Sequence, residues 1–340
     1  MMTELNRSEN IAISFIIPVY NTEIGLLERG ISSINKQCPF NKEVLLIDDG
    51  SKENLAELYD QLSLKHKDIQ TIHVQNAGAA NARNVGIEKS RGTYVIFIDA
   101  DDYLPENDAI IQIKTIMDEK KLDFIVGANQ EKGGSPIVHL RPKEAQLIII
   151  RQQSINGVIE LGSPWAKIFK RSFLIDNGIR FDKDLRRSHD RLFMMNAFEH
   201  SANYEIRNIH CYCLYIETGD SLSRSYNKKT SDYMASFYKA MGCFVRNFHS
   251  GDNDYTKALN ELYTILHRQC AHQIYFHPRN DSPFYQRYKD FKKLLSLLGD
   301  GKCGFVTFRG ISMIVYSILL KARMYFLLSV ILEVNKNKYK

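Results

Sequence analysis

The first 130 residues alternate short apolar runs with segments of helical periodicity, and this alternation restricts the folds open to the chain. Five runs rich in β-branched and aromatic residues predict strands: Ile13–Ile17, Val44–Ile47, Thr71–Val74, Tyr94–Ile98 and Phe124–Val126. Apolar positions three or four residues apart predict the helices between them, as at Ile24, Leu27 and Ile31. Repeated strand–helix units of this length predict an α/β fold with a mostly parallel sheet, whose ligands bind at the carboxyl ends of the strands.

Further helices are predicted through Leu55–Leu62, over Ala79–Lys89 and from Pro105. The pattern loosens from Leu147 to about Arg224 and becomes helical and aromatic beyond Asn227. We therefore expect a first domain over 1–225 and an α-helical C-terminal region over 226–340.

Charge is unevenly distributed along the 340 residues. Residues 301–340 carry the whole net charge of +6, so the first 300 residues are neutral overall. A neutral body argues against nucleic acid as a partner, and the basic segment predicts an adhesive C-terminal tail.

The six cysteines include no CxxC pair. Cys211 and Cys213 would share one strand face next to His210, which suggests either a metal site or, as we favour, buried free thiols. Met1–Asn10 is polar, and the apolar run that follows it contains Pro18, so no secretory signal is predicted. Reduced cytoplasm is the expected compartment.

The most informative string is Asp99-Ala100-Asp101-Asp102, which follows an apolar strand. Carboxylates this close repel one another unless a cation or hydrogen-bond donors stabilise them. Mg²⁺ or Mn²⁺ would do so, since these ions take one or two carboxylates and complete their coordination with phosphate and water. The alternative is a solvated acidic turn before the next helix.

Two common nucleotide-binding patterns are missing from the sequence. The turn after the first strand, at residues 18–22, lacks the glycines of a dinucleotide-binding fold, and no GxxxxGK[ST] string occurs. A dinucleotide-binding enzyme and a Walker-type nucleotide site are therefore both disfavoured.

Four motifs follow predicted strands in order along the chain: Pro18–Asn21, Asp48–Ser51, Asn76–Gly86 and Tyr94–Asp102. Together they resemble the family 2 glycosyltransferases of the GT-A fold over about residues 12–225. The resemblance implies a GT-A type, mostly parallel central sheet flanked by helices. It also implies a nucleotide-binding half over about 11–128 and an acceptor half over about 129–225.

The resemblance implies roles for individual residues in the nucleotide half. Pro18, Val19 and Tyr20 correspond to a wall for a nucleobase, with ordinary packing as the alternative for Tyr20. Asp49 is similar to the carboxylate that accepts from the base, Asn76 to a polar residue of the same pocket, and Arg83 to a base or phosphate contact. Asp101 would bind Mn²⁺ or Mg²⁺, and Asp99 would face the ribose or the metal.

The acceptor half resembles the family segment that leads to its catalytic acidic pair. Trp165 lies at the start of this segment, and Ser188-His189-Asp190 stands where the family has Gly-Glu-Asp. Asp190 corresponds to the general base, with an N-cap of a helix over Arg191–Glu199 as the alternative. His189 replaces the supporting acid and is either an acceptor contact or a surface residue.

The implied reaction is metal-dependent, inverting transfer of a sugar from a nucleotide donor, such as a UDP-sugar, to a hydroxyl of a glycan or lipid-linked acceptor. Its implied setting is bacterial surface polysaccharide synthesis. The alternatives are a sugar nucleotidyltransferase, whose glycine-rich phosphate loop is missing, and a catalytically silent nucleotide-sugar-binding protein, which the His189 departure would suit. The oligomeric state is left open.

Two later segments suggest accessory roles. Ser221, Ser223 and Arg224 lie where related enzymes have a loop that closes over the donor, although a plain connection is equally consistent. Within 305–340, two apolar runs are separated by Lys321 and Arg323 and are too short to span a bilayer. We expect this segment either to lie on an anionic membrane at the inner face of the cell membrane, or to pack on the protein or another subunit.

Overall fold

The computed structural model describes residues 11–215, 226–298 and 302–335. The chain divides into two compact units, one of Met1–Gln146 with Ser154–Ile216 and one of Leu147–Gln153 with Glu217–Lys340. The expected boundary after residue 225 lies next to residues outside the described ranges and stays a prediction.

The first unit is built on one sheet of eight described strands. These strands are β1 (Ile13–Val19), β2 (Lys42–Asp48), β3 (Ile69–His73), β4 (Tyr94–Phe97), β5 (Phe124–Ala128), β6 (Ile137–Val138), β7 (Lys167–Lys170) and β8 (Tyr204–His210). The helices that begin in this unit are α1 (Ile24–Gln37), α2 (Glu53–Lys65), α3 (Ala79–Lys89), α4 (Ala109–Lys120), α5 (Pro142–Ile150), α6 (Arg171–Asp176) and α7 (His189–His200).

The strands are ordered β3-β2-β1-β4-β7-β5-β8-β6. Strands β1 to β4 are parallel to one another, β7 runs antiparallel between β4 and β5, and β8 is parallel to β5 but antiparallel to the edge strand β6. The mostly parallel sheet predicted from the sequence is therefore confirmed. Val19 at the end of β1 is in register with Asp48 at the end of β2, so the segments after these two strands begin at the same edge.

The central strands are buried on both faces, which explains their continuous apolar sequence. Phe15, Ile16 and Ile17 of β1 are almost inaccessible to solvent. Helix α3 packs so closely on β1 that a Cβ on Gly86 would lie 2.3 Å from Cγ2 of Ile16. A side chain at this position would force the helix away from the sheet.

Two local predictions differ from the structure. The helix expected from Pro105 begins at Ala109, with Asp108 as its N-cap. The helix expected over Arg191–Glu199 is α7, which begins at His189, so Asp190 lies in its first turn rather than at the cap. Helix α4 thus begins later than predicted and α7 earlier, because the exact ends of a helix are the part that periodicity defines least well.

The cysteines carry free thiols, and Cys211 is buried. Strand β8 ends at His210, so Cys211 and Cys213 follow the strand rather than share one of its faces. Within residues 11–215, 226–298 and 302–335, no three or more His, Cys, Asp or Glu side chains are grouped to hold a metal ion. Cys211 is therefore a buried thiol, as the favoured interpretation of the sequence expected, whereas Cys213 is half-buried.

The second unit is helical, which confirms the prediction of an α-helical C-terminal region. Its helices are α8 (Thr230–Phe248), α9 (Asn253–Cys270), α10 (Phe284–Leu297), α11 (Ile311–Lys321) and α12 (Tyr325–Asn335), with a π-helical segment over Ala271–Tyr275. None of the helices in the described part of the chain is both long enough and apolar enough to cross a membrane.

A buried histidine lies in the core of this helical unit. His267 of α9 is inaccessible to solvent, and its Nδ1 lies 2.8 Å from the hydroxyl of Tyr316. Its ring also packs against the edge of Phe291, with 4.8 Å between ring centroids. Burial lowers the pKa of His267 from its ordinary 6.5 to about 3.

This shift predicts acid destabilisation. Below pH 6.5 the unfolded chain binds a proton that folded His267 rejects, so His267 alone should lower the free energy of unfolding by about 2 kcal/mol from pH 7 to pH 5. His267→Asn should remove this dependence, which urea unfolding at the two pH values measures. His139→Asn, at an exposed position, is the control and should keep it. An unchanged pH dependence in His267→Asn would contradict the prediction.

Candidate functional site

At the end of β1, Tyr20 is the exposed side chain that a ligand could contact. Val19 is 1% exposed and belongs to the core, so only its main chain is available, whereas the Tyr20 ring is 56% exposed. Asn21 has a left-handed φ of 51° and ties this segment to the one after β2, because its amide donates to Ser51 Oγ at 2.8 Å. Tyr20 is thus not packed into the core, and its contact with a base, together with that of half-buried Pro18, stays a prediction.

Asp49, directly after β2, organises the turn that follows β3. Its buried carboxylate accepts from the amides of Ala77 and Gly78, each at 2.8 Å. Asn76 Nδ2 donates to the main-chain oxygen of Asp49 at 2.8 Å. Gly78 adopts a φ of 96°, which favours glycine. A base contact by Asp49 therefore needs one of the remaining lone pairs of its oxygens.

Asp48 precedes Asp49 and faces a different set of partners. Its Oδ1 accepts from the Ser51 amide at 2.9 Å, and its Oδ2 lies 2.7 Å from Nδ1 of His73. The hydrogen bond with Asp48 raises the pKa of His73. Asp48 is buried in this network and holds the loop after β2.

Arg83 of α3 joins the two halves of the predicted site. Its Nη2 donates to Asp99 Oδ1 at 2.6 Å, and its Nη1 donates to Asp190 Oδ1 at 3.3 Å. The guanidinium is buried and lies over the Phe181 ring, 5.4 Å from its centroid. One side chain thus connects the end of β4 with the first turn of α7.

Asp190 contacts two basic side chains. His189 Nδ1 lies 2.7 Å from the Asp190 oxygen that faces Arg83. Burial raises the pKa of Asp190, but the His189 and Arg83 charges more than offset burial and hold that pKa well below its usual range. Asp190 is therefore ionised near neutral pH, as a general base requires, although its proton affinity is low while both partners remain.

The backbone conformation of Ser188 explains why the family pattern has glycine at this position. It caps α7 with a left-handed φ of 60°, a conformation that glycine adopts without steric cost. His189 is an inward-facing residue of this turn rather than a surface residue, because its side chain is 12% exposed and its ring contacts the edge of Phe181. An acceptor contact by His189 stays a prediction.

The three aspartates after β4 differ in their exposure and in their hydrogen-bond partners. Asp102 is buried and accepts from the Tyr212 hydroxyl at 2.7 Å and the Tyr215 amide at 2.8 Å, while burial raises its pKa to about 7. Asp101 is exposed, and its main-chain oxygen accepts from Arg29 at 2.6 Å. Asp99 is partly exposed and bound to Arg83.

This arrangement limits the kind of metal site that the acidic cluster can form. Asp99 and Asp101 provide two carboxylates, and no third ligand is grouped with them in the described part of the chain. Two carboxylates fit a hard divalent cation that takes its remaining oxygens from phosphate and water. The donor set therefore fits Mg²⁺ or Mn²⁺ bound together with a diphosphate.

Tyr212 is a central residue that the sequence analysis missed. Its hydroxyl accepts from the Asp99 amide at 3.0 Å while donating to Asp102. Trp165 stacks on the Tyr212 ring at 5.3 Å, so the predicted acceptor residue is connected to the acidic cluster through one tyrosine. In the sequence, Tyr212 is marked only as an aromatic residue between Cys211 and Cys213, a pattern that is typical of packing and does not indicate a site.

Lys167 is a second residue that the sequence analysis missed. It is buried at the start of β7 and donates to the main-chain oxygens of Glu160 at 2.7 Å and Trp165 at 3.1 Å. Burial lowers its pKa to about 8. Lys167 thus fixes the loop that carries Trp165. The remaining predicted residues, Ser221, Ser223 and Arg224, lie outside the described residues.

Comparison with known proteins agrees with this architecture. The sequence model of the family "Glycosyl transferase family 2" matches residues 14–178. The chain is 26% identical over 245 residues to the uncharacterized glycosyltransferase EpsJ of Bacillus subtilis, covering 69% of this chain and 70% of EpsJ. It is also 26% identical over 265 residues to poly(ribitol-phosphate) beta-glucosyltransferase of Bacillus spizizenii, covering 75% of this chain but 40% of that protein.

A solved structure shares the fold over nearly the whole chain. The S. aureus TarS fragment 1–349 in complex with UDP-GlcNAc has a TM-score of 0.63 at 19% identity. The alignment covers 96% of this chain and 92% of that chain.

The paired amides at Asp49 predict a stability effect. In Asp49→Asn, the side-chain NH₂ would face a main-chain N–H, so at least one hydrogen bond to a charged group is lost, and unfolding should be easier by about 2 kcal/mol. Urea unfolding measures this, with Asp184→Asn at an exposed position as the control. Equal stability of the two variants would show that the turn does not depend on the Asp49 carboxylate.

Proposed function

The chain is a family 2 glycosyltransferase with the GT-A fold, and from this premise we propose that it transfers a sugar from a UDP-sugar to an acceptor hydroxyl with inversion at the anomeric carbon. The UDP donor is supported by the solved complexes of the structural relative TarS with UDP-GlcNAc and with UDP. Because the family and the relatives are glycosyltransferases, this proposal is preferred to a sugar nucleotidyltransferase and to a silent binding protein.

The observation that carries the proposal is the double contact of Arg83. Asp99, from the acidic motif of the nucleotide half, and Asp190, from the acceptor half, both lie within hydrogen-bond distance of this one guanidinium. A donor whose diphosphate lies at Asp99 would therefore have its sugar close to Asp190. Inverting transfer requires this proximity, because the base must act on the acceptor while the leaving group departs from the opposite face.

We assign the donor side to Tyr20, Asp49, Asn76 and Arg83. The exposed Tyr20 ring would stack on the base, and the turn held by Asp49 would present polar groups to it. Arg83 would donate to a phosphate oxygen, and a guanidinium shared with phosphate would hold Asp190 less strongly. The proton affinity of Asp190 would then rise when the donor is bound.

We propose that Asp99 and Asp101 hold Mn²⁺ or Mg²⁺. The ion would supply Lewis-acid neutralisation of the charge that develops on the leaving diphosphate. We do not assign this role to Asp102, because it is buried and accepts from Tyr212 and Tyr215, whereas Asp99 and Asp101 are more exposed. Asp190 would take the proton from the acceptor hydroxyl as that hydroxyl attacks the anomeric carbon.

We propose that the acceptor is a glycan or lipid-linked saccharide of bacterial surface polysaccharide synthesis. The polysaccharide setting is supported by the poly(ribitol-phosphate) beta-glucosyltransferase relative, whose name gives a polymeric acceptor. We further propose that the enzyme works in the cytoplasm at an anionic membrane surface, which it contacts through residues 305–340.

The general-base assignment predicts a selective loss. Asp190→Asn cannot take the proton, so UDP release with acceptor should fall by about 10² to 10⁴-fold, while UDP affinity should remain close to that of the wild type. Steady-state kinetics and calorimetric titration with UDP measure the two quantities. Asp184→Asn is the exposed-site control. Parallel loss of transfer and of UDP affinity would mean that Asp190 supports the fold rather than the reaction.

The metal assignment predicts a different pattern. Asp101→Asn should remove the dependence of UDP affinity on Mn²⁺, because one of two protein carboxylates is lost. Titrations with Mn²⁺ and with chelator compare this variant with Asp108→Asn, which changes a nearby exposed carboxylate. A wild-type UDP affinity that is the same with and without Mn²⁺ would overturn the metal assignment.

A further inference from the structure

Helices α11 and α12 are apolar on both of their faces. Their inner faces, with Met313, Tyr316 and Leu328, are buried in the helical unit. Their outer face is also apolar and is between 38% and 79% exposed at the following six positions. We call these residues the outer apolar face: Ile311, Val315, Ile318, Phe326, Ile331 and Val334.

The spacing makes this face continuous. Ile311, Val315 and Ile318 are four and three residues apart, so they project from one side of α11. Surface helices of globular proteins place polar residues at such positions. A contiguous exposed apolar face marks a surface that contacts an apolar partner.

Cations line the groove beside this face. Lys292, Lys302, Lys321 and Arg323 contribute, with Tyr288 and Phe326, to a groove of about 1090 Å³. All four basic side chains are exposed, and none forms an ion pair with the described residues.

The acidic residue of α11 and α12 already forms an ion pair with an arginine. Glu333, the acidic residue of α11 and α12, lies 2.7 Å from Nη1 of Arg287. Among the described residues, the groove therefore carries positive charge without a paired carboxylate, next to apolar surface. This combination fits the phosphate groups and acyl chains of anionic lipids.

We propose that α11 and α12 form a membrane-binding hairpin that lies in the surface of an anionic bilayer. The outer apolar face enters the boundary between headgroups and acyl chains, and the four cations of the groove bind lipid phosphates. The inference rests on the proposed function in one respect, since a lipid-linked acceptor gives a reason for working at a membrane.

Charge and length argue against the other occupants. A second copy seated on this face in a symmetric dimer would bring like charges together, which is unfavourable. Each helix has 11 residues and is about 16 Å long, too short to span a hydrocarbon core of about 30 Å. Helices that lie in the plane of an anionic membrane surface avoid the like-charge repulsion and do not need to span the bilayer.

Vesicle sedimentation of the full chain tests the hairpin. The protein should bind vesicles of phosphatidylglycerol and phosphatidylcholine, and binding to phosphatidylcholine alone should be much weaker. Neutralising the groove in Lys302→Gln/Lys321→Gln/Arg323→Gln should lower the partition coefficient about a hundredfold, at roughly fivefold for each basic residue. Phe326→Ser/Ile331→Ser should lower it comparably. These substitutions replace exposed side chains, whereas truncation at 305 would also remove core residues such as Tyr316.

The controls lie on the first unit. Lys65→Gln/Lys67→Gln/Lys183→Gln removes three exposed charges, and Leu64→Ser removes a leucine that is 86% exposed. Both controls should bind vesicles as the wild type does. UDP release with a soluble acceptor should be unchanged in every variant, which separates failure of this inference from failure of the proposed function.

Two outcomes would overturn the inference. One is wild-type vesicle binding by the groove variant or the outer-face variant. The other is a dimer in sedimentation velocity that Phe326→Ser/Ile331→Ser dissociates, which would assign the face to a second copy.

Discussion

The candidate site depends on the burial of one guanidinium between two carboxylates. Without Asp99 and Asp190, Arg83 would leave a charge buried beneath the edge of the sheet, at a cost of several kcal/mol. Without Arg83, two carboxylates would face each other across a narrow gap. Each member therefore requires the others, and the cluster holds α3, the end of β4 and the start of α7 in one arrangement.

The positions of the nucleotide-side residues could be predicted because parallel topology fixes them. Once β1 and β2 are parallel and in register, Tyr20 and Asp49 must follow at the same edge. The partners of these residues could not be predicted in the same way. The hydrogen bonds from the amides of Ala77 and Gly78 to Asp49 depend on the conformation of the turn after β3, and no periodicity in the sequence reports that conformation.

The acceptor side was harder to predict, for a topological reason. Strand β7 inserts antiparallel between β4 and β5, so residues far apart in sequence become neighbours across the sheet. Alternation of strands and helices does not encode such an insertion, and the link from Trp165 through Tyr212 to Asp99 was therefore missed. Asp190 was identified from a motif, but its position in the first turn of α7 follows from the left-handed conformation of Ser188.

The replacement of the expected Glu by His189 has a physical consequence for catalysis. A glutamate beside Asp190 would raise its proton affinity by like-charge repulsion, whereas a histidine at 2.7 Å adds a polar partner that becomes attractive once protonated. An enzyme with His189 therefore has to regain proton affinity in another way. In the proposed mechanism, competition between the donor's phosphates and Asp190 for Arg83 would provide one, because it would couple the strength of the base to the presence of substrate. Under this coupling Asp190 is a weak base in the free enzyme and a stronger one in the complex, which limits proton transfer to the moment when a sugar is in place.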